Sequence, residues 1–383
     1  MIDGKEGKEG LTLFPVKVSL GNFDANAIVT SKTLKNIQSA IAIKQYAIKS
    51  SYQTAWDGYT ISLDQIAYVL SRGVRYLDFD VFWDKPTPKD SKLSNTSTKA
   101  SFTAVVSHTI DFADPSYSTT GTVKLALADV LGFLSQYAFS KTNIPNSKNA
   151  IYNTPNPKDP LFIQLHVKYM DPTKESGGVN YRANLYHSVA GALATSFTTA
   201  QSNVLVNHKL NSSSSLADLM GQVVFVFDNA IYPDYLQYTK CMNTPSFPNG
   251  IDDAASEPSC YQLSNYINIL TSSNDMQVIG YGNQSTIKKS PITIPTDSSE
   301  TNGGYTVRTN ILMQFAPINE RGGEMKANID SFNATQTFTS QIVGMMYWND
   351  DGNLSDYEKL FNKLGSAFVP LSAVKQYIIT NTI

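Results

Sequence analysis

The chain has 383 residues, 42% of them hydrophobic, which is enough for one large α/β barrel or two average domains and too much for wholesale disorder. Its formal net charge of −2 excludes a general electrostatic pull toward nucleic acid or an anionic membrane surface. Charged residues make up only 16%, so Ser, Thr, Asn and Tyr supply the polarity, and such a surface suits packing against neighbours or sugars better than long-range steering.

The first ten residues are polar and lack the apolar core of a signal peptide, and no run of about eighteen apolar residues offers a membrane span. A soluble chain without a signal peptide is expected, with residues 1–35 as an extension and 36–383 as the folded domain. Short apolar runs then recur as eight predicted strands. They are Ala40–Ile48, Val74–Phe82, Ala104–His108, Leu161–Tyr169, Val223–Phe227, Gln277–Tyr281, Ile311–Phe315 and Ile342–Trp348. Helical spacing marks Leu63–Ser71, Thr122–Phe139, Tyr181–Phe197, Tyr261–Leu270 and Leu354–Leu364, the last opening at Asn353 or Ser355 and closing at Gly365. Strands alternating with helices predict a (β/α)₈ barrel of the TIM type. Polar stretches at Lys85–Lys99, Ser140–Asp159, Thr239–Ser259 and Ser285–Gly304 make it irregular, with long loop insertions. Cys241 and Cys260 flank a Pro/Asn/Asp-rich loop without zinc spacing and are expected to be free thiols.

In such a barrel the chemistry sits where the strands end. Asp78 and Asp80 lie at i and i+2 of an apolar strand, so both project from one face. Two like charges so close need a cation or a basic partner between them. His108 ends the third predicted strand. In the fourth, Leu161, Ile163, Leu165 and Val167 form an aliphatic face and Phe162, Gln164, His166 and Lys168 a face that becomes polar toward its end. Asp78 and Asp80, with His166 as a third ligand, could hold a hard cation such as Ca²⁺. Asp228 with Asn229 and the Asn349–Asp351 run read more simply as turns. Lys168 and Tyr347, at the ends of their strands, are candidate substrate contacts.

The strand Gly73-Val74-Arg75-Tyr76-Leu77-Asp78-Phe79-Asp80-Val81 resembles the "G-hydrophobic-R-x-hydrophobic-E/D-x-D" strand of the phosphatidylinositol-specific phospholipase C X domain. His108 after Val-Val-Ser resembles that family's second catalytic histidine, and Pro160–Leu165 its "P-x-I-L-S-L-E" strand. Leu216–Val224, Asn328–Asn333, Gly344–Trp348 and Phe361–Leu371 resemble later elements in the same order, so the resemblance covers roughly residues 40–378. It implies a phospholipase-C-like phosphodiesterase barrel. It also implies departures. The family's first histidine, in a "S-H-N-S-Y" motif, matches Lys49, and the metal-binding asparagine matches Ser50. The metal-binding glutamate on strand four matches His166. Lysine near its usual pKa of about 10.4 is a poor general base, and Lys49 is expected instead to bridge Asp78 and Asp80 in the cation's place.

These features favour a divergent barrel with a degenerate catalytic set, a non-catalytic binding or assembly component with protein partners. Barrels of this kind resemble accessory proteins of large DNA viruses as well as cellular enzymes, so a cytoplasmic or virion-associated setting is expected. The alternative is an active metal-dependent phosphoric diester hydrolase acting on a phosphoinositide or related phosphodiester, with His108 as general acid and a metal on Asp78 and Asp80. A glycerophosphodiesterase would need a His-Arg pair on the first strand, which Ile43–Lys49 lacks.

Overall fold

In this computed structural model the described residues are 42–87, 102–108, 123–146, 150–168, 181–197, 205–228, 263–271, 275–283, 300–302, 305–307, 312–318 and 324–381. Cys241, Cys260, Asn229 and most of the predicted insertions lie outside them.

In chain order the elements are β1 (Tyr46–Ile48), α1 (Leu63–Ser71), β2 (Tyr76–Asp84), β3 (Thr103–Ser107), β4 (Leu125–Ala126), α2 (Leu127–Tyr137), β5 (Leu161–Val167), α3 (Tyr181–Phe197), β6 (Val223–Asp228), β7 (Ile269–Leu270) and β8 (Met276–Gly280). There follow β9 (Glu300–Asn302), β10 (Tyr305–Val307), β11 (Leu312–Ala316), α4 (Ser331–Phe338), β12 (Ile342–Val343), α5 (Gly352–Leu364), β13 (Phe368–Pro370) and α6 (Leu371–Asn381). One sheet has the order β13-β1-β12-β11-β8 and another β4-β3-β2-β5-β6-β7, while β9 and β10 form a separate hairpin. A parallel bridge from Ser50 to Tyr76 joins β1 to β2 and so joins the two sheets. Eight parallel strands therefore follow one another as β8-β11-β12-β1-β2-β5-β6-β7, an irregular (β/α)₈ barrel whose wall carries no β7–β8 pairing among the described residues.

One of the expected strands changes place, and an expected helix supplies its replacement. Ala104–His108 pairs antiparallel to the upper half of β2, Asp80 opposite Ser107, and lies outside the barrel wall. The missing barrel strand is Ile269–Leu270, at the end of a segment whose apolar spacing predicts a helix. Registry with Val226 and Phe227 decides its conformation, and only a 3₁₀ turn at Leu263–Asn265 remains of that helix. Helices α4 and α6 and strand β13 carry too few patterned residues to be read from the sequence. α1 and α3 have the predicted bounds. α5 starts two residues early because Asp351, not Asn353 or Ser355, caps it by accepting from the Leu354 N–H. Gly365, at φ 70°, closes it in the left-handed region where a side chain would be strained.

The period-two alternation sorts side chains to the two sides of the wall. Leu161, Ile163, Leu165 and Val167 of β5, with Leu77, Phe79 and Val81 of β2, bury outward in one cluster with α1, α2, α3 and α5. Full burial of each such side chain stabilises by roughly 1.5–3 kcal/mol. Tyr46, Ile48, Tyr76, Phe162, Val224, Met276, Leu312 and Ile342 belong to a second cluster, which fills the barrel. Above them the Tyr76 hydroxyl lies 2.7 Å from Gln164 Oε1 and 3.2 Å from Gln314 Oε1, a polar layer between the apolar floor and the charged mouth. Arg75, fully buried, points the other way. Its guanidinium donates to the carbonyls of Pro160 (3.1 Å), Ala138 (2.8 Å) and Asp159 (2.5 Å), tying the start of β2 to the chain around β5 and α2.

Candidate functional site

The strand ends bring Asp78 and Asp80 of β2, His166 and Lys168 at the end of β5, Asp228 at the end of β6 and Thr271 just past β7 into one cluster. His166 sits between two aspartates, with Nε2 2.8 Å from Asp78 Oδ2 and Nδ1 2.7 Å from Asp228 Oδ2. Thr271 Oγ1 donates to the other oxygen of Asp228 at 2.6 Å. Burial alone would push the imidazole pKa down. The charge of Asp78 and the hydrogen bonds to Asp228 and Asp78 outweigh it and lift the pKa to about 10, so His166 is an imidazolium at neutral pH. Lys168 Nζ is 3.2 Å from Asp80 Oδ1, and Gln53 Nε2 donates to Asp80 Oδ2 at 3.0 Å. Burial raises the Asp80 pKa and Lys168 and His166 work against that rise.

His108 reaches the same place by another route. β3 runs back along β2 and ends with Ser107 opposite Asp80, which leaves His108 beside the mouth. Its Nδ1 meets Gln53 Oε1 in a short hydrogen bond. An amide oxygen only accepts, so this assigns the ring hydrogen to Nδ1 and turns the Nε2 lone pair toward Glu324 Oε1, 3.9 Å away. Burial lowers the His108 pKa to about 4, helped by the charge of Lys168, so the ring is neutral at pH 7. Burial and the charge of Asp80 raise Glu324 to about 8. Trp56 stacks on the imidazole, ring centroids 3.9 Å apart and planes 15° from parallel, and Trp348 meets it edge-on.

Lys49 is elsewhere. Along β1, Tyr46 and Ile48 face the barrel interior, so Lys49 faces out. It is fully buried, 2.9 Å from Glu358 Oε1, and donates to the Arg72 carbonyl at 2.6 Å. Arg72 Nη2 is 2.5 Å from the second oxygen of Glu358, and these two cations hold Glu358 below the usual carboxylate range against the opposing effect of burial. The expected Lys49 bridge between Asp78 and Asp80 is therefore corrected: His166 and Lys168 are the cations beside those acids. Ser50 also points away, its hydroxyl donating to the Val343 carbonyl and its N–H to Tyr357 Oη. Tyr347 is corrected as a substrate contact too, because it packs outward and donates to Glu358 Oε1 at 2.8 Å.

The residues that β1 sends to the mouth are Tyr52 and Gln53. Gln53 has φ 42°, a left-handed conformation that non-glycine residues adopt at a cost, and it directs the amide between His108 and Asp80. Tyr52 is buried, and burial with the charges of Asp80, Asp78 and Glu324 pushes its phenol well above the usual range. Gln53, Tyr52, Glu324, Trp56 and the Asp228 partner of His166 escape sequence reasoning. Asp228 at a strand end reads as an ordinary turn, and a glutamine in a loop carries no signal until its backbone is known.

No family model matches this sequence and neither does any curated protein. Solved structures do. PLC21 of L. pealei superposes with a TM-score of 0.50 at 13% identity, over 87% of this chain and 37% of its own. The chain has the phospholipase-C-like phosphodiesterase fold. PLC21 of S. officinalis gives a TM-score of 0.47 at 12% identity over 88% and 38%. The calcium-dependent phosphoinositol-specific phospholipase C of Pseudomonas sp gives 0.41 at 14% over 88% and 97%. The chain thus spans little more than a third of the length of the two PLC21 proteins.

Ca²⁺ takes about six to eight oxygen ligands. Of the three ligands expected at this phospholipase-C-like mouth, His166 offers nitrogen and is held as a cation, while Asp78 and Asp80 already face His166 and Lys168. No group of three His, Cys, Asp or Glu side chains able to hold a metal is found among the described residues. The donor set does not suit a calcium ion.

Proposed function

We propose that this chain is a phospholipase-C-like barrel that has lost metal-dependent phosphodiester cleavage and serves as a binding or assembly component. The observation that carries this reading is the state of the mouth. Asp78, Asp80, His108 and His166 are 0–7% exposed and hold one another or Gln53, Lys168 and Asp228.

Cleavage of a phosphodiester by a neighbouring hydroxyl needs a base to take that proton, an acid for the leaving group and positive charge on the phosphoryl oxygens. The segment after β1 supplies a high-pKa phenol at Tyr52 and an amide at Gln53, and neither accepts a proton at neutral pH. This extends the resemblance with its register moved by three residues, so that Ser51-Tyr52-Gln53-Thr54 stands against Ser-His-Asn-Ser. His166 and Lys168 are cationic, but carboxylates already face them, so little net positive charge is left for a phosphate. Tyr- and Asn-rich insertions and a low charge content agree with a chain that packs among protein partners.

Incubation with radiolabelled phosphatidylinositol, with and without Ca²⁺, tests the proposal. No inositol phosphate above the protein-free blank is expected in either arm. Release that depends on Ca²⁺ and disappears in His108→Ala would overturn it.

A further inference from the structure

We infer that His166 and Lys168 replace, from within the chain, the divalent cation that a calcium-dependent phospholipase C mouth binds. Two aspartates on one strand face, both below 2% exposure, require compensating positive charge. The chain supplies it twice. His166 Nε2 lies on Asp78 and Lys168 Nζ on Asp80, and both come from the polar face of β5, two residues apart. Asp228 and Thr271 complete the arrangement by fixing the far side of the imidazole, in the way a carboxylate orients a histidine ligand behind a metal. Here both ring nitrogens face carboxylate oxygens and must donate, so the histidine itself is the charge. Gln53, from the segment after β1, donates its amide hydrogens to Asp80 and the Tyr52 hydroxyl and turns its oxygen to His108, so this position too offers hydrogen bonds in place of a free oxygen ligand. The role assigned to the aspartates is to lock β2, β5 and β6 together at the mouth by ion pairs that need no ion from solution.

This inference rests on the same mouth as the proposed function but is read by metal binding, not turnover. The intact chain, dialysed against a chelator, is titrated with CaCl₂ in a calorimeter. Wild type is expected to give no saturable heat up to ~10 mM, tenfold beyond the weakest class of protein calcium site, and its thermal midpoint should not differ between Ca²⁺ and chelator. The double variant His166→Glu/Lys168→Met removes both cations from the aspartates and adds a third carboxylate. With its fold verified by circular dichroism, it should gain saturable Ca²⁺ binding, tightened at least tenfold relative to wild type. Lys168→Met alone should show the start of that gain if the double variant does not fold. Saturable binding by wild type that is lost in Asp80→Asn overturns the inference, as do folded variants that bind no better than wild type. Metal-independent turnover would refute the proposed function and leave this inference standing.

Discussion

Replacing His166 by asparagine should change the stability of the barrel in a way that depends on pH in a defined direction. At pH 7 the imidazolium joins Asp78 and Asp228, and its removal leaves a buried and a half-buried carboxylate facing an amide. Breaking a buried pair from one side costs roughly 3–5 kcal/mol. The folded pKa of about 10 stands above the ordinary 6.5, so the unfolded chain releases this proton first as pH rises. The stabilisation is therefore complete below pH 6.5 and is lost progressively toward pH 10. At about 1.36 kcal/mol per pH unit, the whole span amounts to about 5 kcal/mol, and the interval from pH 7 to 9 to about 3 kcal/mol. Urea unfolding followed by tryptophan fluorescence at pH 7 and pH 9 measures it. Wild type should exceed His166→Asn by several kcal/mol at pH 7, and the gap should shrink by about 3 kcal/mol at pH 9, with other titrating groups cancelling in the difference. A gap that is equal at the two pH values would refute the imidazolium assignment.

Trp56→Ala should expose the His108 ring and raise its pKa from about 4 toward 6.5, seen in the ring-proton shifts by NMR, while wild type stays neutral down to pH 5. In wild type the unfolded state takes up this proton first, so stability should fall as pH drops from 6.5 to 4, less steeply in Trp56→Ala. Glu358→Gln leaves Lys49 and Arg72 without their carboxylate and should destabilise by about 3–5 kcal/mol, and adding Lys49→Met should recover part of that loss in a double-mutant cycle by denaturant unfolding. Arg75→Leu removes the donors of three buried carbonyls and should cost at least 3 kcal/mol by the same assay, with no effect on the mouth.

What the sequence makes legible is whatever one strand carries by itself. The two faces of β5, the acid pair of β2 and the end of α5 at Gly365 follow from period-two or helical spacing and from a single glycine. What it conceals depends on pairing between distant segments. Ala104–His108 has the composition of a barrel strand, but its hydrogen bonds go antiparallel to β2, and His108 still arrives at the mouth because antiparallel pairing returns the chain to Asp80. Ile269–Leu270 becomes a wall strand only because β6 has a free edge there. The segment after β1 is the instructive failure. A motif match places Lys49 and Ser50 in the site, yet alternation along β1, readable in advance, turns Lys49 outward beside the inward Ile48, and Ser50 is drawn away by its bonds to Val343 and Tyr357.

The same alternation explains why the mouth changes as a set. His166 faces Asp78 and Lys168 faces Asp80 because positions two apart on β5 share a face, and the β2–β5 register sets Asp78 opposite Gln164 and Asp80 opposite His166. A carboxylate in place of His166 alone would add a third negative charge beside Asp78 and Asp228 and be stable only with a cation bound. The imidazolium alone would compensate Asp78 and Asp228 and leave Asp80, 1% exposed, without a countercharge if Lys168 were absent. Each substitution is therefore unfavourable without the other or without a metal, which couples His166, Lys168 and Asp228 through charge. Changing both basic residues should accordingly restore far more metal binding than Lys168→Met alone, and changing either acid alone should destabilise the chain rather than liberate a site.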